Sequence, residues 1–114
     1  MSLAKTERAD LMAVDRVRLE ANGRLNPVRK SALGQFMTPA TIAQFMASLF
    51  SQRKGASRLL DAGAGVGSLT DAFINRWGSG DLCVSAYEID TTMASYLRET
   101  LKRYGNGSFE PKII

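Results

Sequence analysis

Histidine is absent from the 114 residues, and a single cysteine, Cys83, is present. Imidazole-based catalytic arrangements and the usual His/Cys metal centres are therefore excluded, as is an internal disulfide framework. Proline is scarce, with Pro27, Pro39 and Pro111 each standing apart from the others. No apolar run approaches the roughly 18 residues of a membrane span, and the charged start does not read as a signal peptide. A cytoplasmic chain without a metal site is the expectation.

With 45% hydrophobic residues the chain can bury a core. The formal charge is +4, and residues 1–30 hold seven Lys or Arg against four Asp or Glu. A bias of this size is compatible with nucleic acid, and equally with a solvated amphipathic helix.

Punctuation divides the chain. Thr6 is expected to cap a helix running to about Asn22, with Leu11, Val14 and Val17 on one side and Gly23 ending it. "GRLNPVRKSALGQ" reads as a loop and carries Arg24, Arg29 and Lys30. Thr38 and Pro39 then make a cap and first-turn pair for a helix in which Ile42, Phe45, Met46, Leu49 and Phe50 form a stripe expected to face the core. After "QRKGAS", residues 58–61 read as a short buried strand. A glycine loop follows, then a helix with Leu69, Phe73 and Trp77 that stops at Gly78. Residues 82–87 form a second strand ending at Glu88. A further helix from about Thr92 to Tyr104 sets Met93, Leu97, Leu101 and Tyr104 on one face. This alternation is the βαβ pattern of a parallel, doubly wound α/β sheet.

The stretch "LLDAGAGVG", residues 59–67, places Gly63, Gly65 and Gly67 where the first strand turns into a helix. Loops of this kind border the nucleotide crevice of open α/β sheets, and glycine lets the backbone approach a ligand closely. Glu88 follows Gly67 by 21 residues, where this architecture puts the carboxylate that accepts hydrogen bonds from ribose hydroxyls. A dinucleotide fingerprint reads G-x-G-x-x-G, but Ser68 stands at its third glycine. Asp61 suits a cationic ligand better than a diphosphate, although it could also merely cap a turn. S-adenosylmethionine, with a sulfonium, an ammonium and a ribose, fits the two acids best, and a dinucleotide is the less favoured reading.

"LLDAGAGVGSLTDAF" resembles motif I of the S-adenosylmethionine-dependent methyltransferases, and "AYEID" resembles their motif II. "GQFMTPATIAQFMASLF" is similar to the Thr-Pro-containing motif X that precedes motif I in the gamma class of N6-adenine DNA methyltransferases. The resemblance, to the enzymes of restriction-modification systems, covers roughly residues 33–92. It implies the Rossmann-like methyltransferase fold, truncated after about two strands, with an amino-terminal helical extension: residues 1–30 as helix and loop, 31–114 as a partial cofactor-binding domain. It further implies that Asp61, Ala62, Gly63 and Gly65 contact the methionine part of S-adenosylmethionine, that Glu88 holds the ribose, and that Ile89 packs on the cofactor's adenine. Phe36, Met37 and Thr38 would close the methionine end.

The family's Asn/Asp-Pro-Pro-aromatic motif, which holds the flipped target base, is missing: no two prolines adjoin, and "NPVR" at Asn26 lacks the second proline and the aromatic residue. No catalytic residue is thus identified. "FEPKII" resembles the approach to a third strand, with Ile113 and Ile114 its first residues. The expectation is the S-adenosylmethionine-binding piece of a DNA adenine methyltransferase, inactive alone, whose DNA target is reached through the full enzyme. A cut sheet invites association of copies, with the amino-terminal helix exchanged between them. The alternative is a noncatalytic or RNA-directed methyltransferase-like module.

Overall fold

A computed structural model describes residues 2–28, 37–51, 55–77, 82–104 and 112–113. In chain order these form α1 (Ser2–Arg24), α2 (Ala40–Ser48), β1 (Ser57–Ala62), α3 (Ser68–Trp77), β2 (Leu82–Tyr87), α4 (Thr91–Leu101) with a 3₁₀ turn at Lys102–Tyr104, and β3 (Lys112–Ile113).

The strands form one parallel sheet in the order β1-β2-β3. Asp61 lies beside Ala86 and Ala62 beside Tyr87, and across β2 Ser85 and Ala86 pair with Lys112 and Ile113. The expected third strand is present and starts one residue earlier than read from sequence; Ile114 lies outside the described residues.

Period-two alternation along β2 buries Leu82, Val84 and Ala86 against Phe73 and Ile74 of α3 and Leu97 and Leu101 of α4. α4 is as its periodicity requires: Met93, Leu97 and Leu101 are buried and Tyr104 packs at their margin. Asp90 starts the helix, its Oδ1 accepting the Met93 N–H at 3.0 Å.

Several sequence expectations are corrected. Helix α1 begins at Ser2, so Thr6 lies inside it, and Gly23 is helical with ordinary φ, so it does not end the helix. On that helix Val14 is buried and Val17 packs at the edge of a cluster; the Leu11 side chain lies outside those described. The segment read as a loop turns helical again at Pro27 and Val28, and residues 29–36, with Arg29, Lys30 and Phe36, lie outside the described residues.

Thr38 does not cap α2. Pro39 occupies the cap position with no side-chain bond, and the cap comes from another helix: Asp15 Oδ1 of α1 accepts the Ala40 N–H at 3.0 Å. A tertiary acceptor satisfies the orphan amide as well as a local one would.

The stripe on α2 faces outward. Ala40, Ala43 and Ala47 are buried, the last two against Leu69 and Ala72 of α3, while Ile42, Phe45, Met46, Leu49 and Phe50 remain exposed, Phe45 at 63% and Leu49 at 68%. Small residues let the two helices approach closely, and the large side chains are left on the other side. β1 is likewise only half covered, its alternation leaving Leu60 66% exposed, so the continuous burial expected of it does not hold.

Candidate functional site

The site forms where β1 and β2 end side by side. Beyond Ala62 the chain enters a glycine loop whose three glycines all lie in the left-handed region, with φ of 74° at Gly63, 59° at Gly65 and 91° at Gly67. At Gly67 the requirement is double, because a Cβ there would also stand 2.8 Å from Leu97 Cδ1 and 3.4 Å from Thr100 Cγ2. Gly67 therefore lets the start of α3 press against α4.

The loop is anchored from the neighbouring strand. The Tyr87 carbonyl, at the end of β2, accepts the N–H groups of both Gly63 and Ala64 at 2.8 Å, and the Ala64 carbonyl accepts the Gly67 N–H at 2.9 Å. One residue past Tyr87, Glu88 reaches back over the loop. Its Oε2 accepts the Gly65 N–H at 2.7 Å and its Oε1 accepts the Asp90 N–H at 2.9 Å. Each carboxylate oxygen thus has one fixed donor and further acceptor capacity.

Asp61, half-buried at the end of β1, is held from the opposite side. The Thr70 hydroxyl, in the first turn of α3, donates to Asp61 Oδ2 at 2.6 Å. Met37 forms a wall of the loop: its Cγ lies 3.8 Å from the position of a Cβ on Gly65. Thr38 follows it, half-buried. Met37, like Val17 and Leu25, packs against the cluster of Ala21, Val66, Met93 and Tyr96, which joins α1 to the loop and α4. Ile89, by contrast, is 90% exposed beside Glu88.

The fold therefore sets Asp61, Ala62, Gly63, Gly65, Glu88 and Ile89 at the neighbouring ends of β1 and β2, with Met37 against Gly65 and Thr38 next to it in the chain; Phe36 lies outside the described residues. Sequence reading missed Asp15, Thr70 and Asp90. Asp90 carried a signal, an Asp immediately before a helical run. Thr70 and Asp15 carried none, because their partners are 9 and 25 residues away and are set by packing.

The same fold occurs in S-adenosylmethionine-dependent methyltransferases. A candidate O-methyltransferase from Klebsiella pneumoniae superposes with a TM-score of 0.57 at 22% identity, over 90% of this chain and 43% of that one. Magnesium protoporphyrin IX methyltransferase from Synechocystis PCC 6803, a structure with bound S-adenosylmethionine, superposes with a TM-score of 0.50 at 17% identity, over 92% and 53%. These likenesses show the Rossmann-like methyltransferase fold. Two curated proteins similar to the chain in sequence are named type II DNA methyltransferases. M.BsuBI of Bacillus subtilis is 48% identical over 95 residues, 80% of this chain, and M.PstI of Providencia stuartii is 41% identical over 91 residues, 77% of this chain. The chain spans about a fifth of the length of these relatives, 19% and 18%. No family model matches the chain.

Proposed function

We propose that this chain is the S-adenosylmethionine-binding part of a DNA adenine-N6 methyltransferase of restriction-modification type, and that it does not transfer methyl groups by itself. The observation that carries the cofactor reading is the Glu88 carboxylate, pinned by two backbone amides at the lip of a left-handed glycine loop. The donor set fits the ligand. Glu88 retains acceptor capacity for a ribose diol, exposed Ile89 offers an apolar surface for an adenine ring, and Asp61 is an acid suited to an ammonium group. The Gly63 and Gly65 backbone, with Ala62, would line the methionine part, and Met37 and Thr38 would close that end, together with Phe36. When bound, the cofactor supplies an electrophilic methyl group on its sulfonium. The chain's own residues would hold it and exclude water from the Met37 side.

DNA is the proposed target, supported by the names of the two curated homologues. A cytoplasmic setting fits this reading, and no described helix is long and apolar enough to cross a membrane. Association of copies is proposed as well, supported by the outward stripe on α2 and the open side of the sheet.

Thermal melting with and without S-adenosylmethionine tests the binding reading. A ligand held by the folded form raises the midpoint once its concentration is well above its Kd. Millimolar S-adenosylmethionine is expected to raise it for the natural chain and not for Glu88→Ala. A natural chain whose midpoint stays put overturns the reading.

A further inference from the structure

Thr70 is 1% exposed and is the third residue of α3, in the first turn, with no preceding helical turn for its hydroxyl to bond back to. Here it leaves its own helix and donates across to Asp61 Oδ2 at 2.6 Å, the length of a charge-assisted O–H···O bond. Asp61 Oδ1 accepts no hydrogen bond among the described residues. An aspartate carboxylate otherwise turns broadly about its last torsion, so a single short bond to one oxygen determines where the other is presented.

We propose that Thr70 is a positioning residue for cofactor binding: its hydroxyl fixes the Asp61 carboxylate so that Oδ1 is presented to the ammonium group of the ligand's amino-acid tail. This rests on the S-adenosylmethionine reading above and adds to it the residue that prepares the acid. The benefit is preorganisation. An acid already held in its binding rotamer loses no freedom when the ammonium arrives. The effect is confined to the tail, because Thr70 bonds Asp61 on the β1 side whereas Glu88 is held independently by the Gly65 and Asp90 amides.

That confinement supplies the test. S-adenosylhomocysteine and 5′-methylthioadenosine are both neutral thioethers with the same nucleoside, and only the first carries the amino-acid tail. Calorimetric titration of the 114-residue chain with each is expected to show that Thr70→Val weakens S-adenosylhomocysteine about tenfold, the scale of a lost hydrogen bond to a charged group. 5′-Methylthioadenosine should change by less than about twofold on the same scale, Thr70→Ser should restore the first ligand, and Thr70→Val should add no loss in an Asp61→Asn background. Equal weakening of both ligands would reduce Thr70 to a support of the loop and overturn the proposal, as would an unchanged affinity for S-adenosylhomocysteine. A natural chain that binds neither thioether overturns the cofactor reading itself, and this proposal with it. Circular dichroism checks each fold, and Thr70→Ala replaces the valine variant if valine is not accommodated.

Discussion

Asp15 of α1 accepts the backbone N–H of Ala40, the first residue of α2, at 3.0 Å, while the same oxygen pairs with Arg18 at 2.8 Å. One carboxylate thereby joins the amino-terminal helix to the segment that carries Met37 and Thr38.

Asp15→Ala is expected to cost about 1 kcal/mol, the usual worth of a helix cap, and Asp15→Asn, which keeps an acceptor, less. The hydrogen-bonded Arg18 guanidinium holds the Asp15 carboxyl below its usual value, with the Ala40 amide acting in the same direction. A depressed folded value means that this stabilisation is present above the unfolded pKa of about 3.9 and is lost as pH falls through the folded value. Urea denaturation should therefore separate natural chain from Asp15→Ala at pH 7, and the gap should narrow at pH 3.

Gly67 and Gly63 should respond differently to alanine. Both have positive φ, 91° and 74°, but a Cβ at Gly63 meets nothing within 4 Å whereas at Gly67 it meets Leu97. Gly63→Ala is expected to cost about 1 kcal/mol from backbone strain alone. Gly67→Ala adds overpacking against a fully buried side chain and should cost about 2–4 kcal/mol. Equal midpoints in denaturant for the two variants would contradict the close approach of α3 to α4.

The same two helices are tied again by Asp71, one turn along α3 from Gly67. This carboxylate is nearly fully buried and is bonded by Arg103 and, at 2.6 Å, by the Tyr104 hydroxyl. Burial raises the Tyr104 phenol above its ordinary value, and the neighbouring Asp71 charge raises it further. Tyr104→Phe leaves Asp71 its guanidinium partner and should cost about 1 kcal/mol. Arg103→Leu strands a buried charge and should cost about 3 kcal/mol or more. The order of the two, measured by denaturant unfolding, is the prediction.

The outward stripe on α2 should govern association. Replacing Phe45 with Lys and Leu49 with Glu removes apolar surface that supports nothing beneath it, so the melting temperature should hold within a few degrees. Sedimentation velocity should show the natural chain associating at micromolar concentration and the double variant shifted toward monomer. Identical profiles would locate association elsewhere.

Local signals proved sufficient for the α/β alternation, for where the glycine loop and Glu88 fall at the strand ends, and for the buried face of α4. Period and punctuation are properties of neighbouring residues, and those elements are decided by neighbours. The direction α2 faces was not legible in that way. Its large apolar residues and its alanines are both regularly spaced, and only the close approach of α3 selects the alanines for burial. The same limit applies to β1, where a run of apolar letters concealed that one face lacks a covering layer, and to Thr38, whose capping role passed to a residue on another helix.

The Tyr87 carbonyl, which receives both Gly63 and Ala64, makes the loop's shape a property of two strands rather than of the nine residues that spell it. The motif is consequently not a portable cassette. A peptide covering β1, the loop and α3 would carry every glycine and still lack the acceptor that folds them. The loop therefore takes its form only where β1 and β2 lie paired.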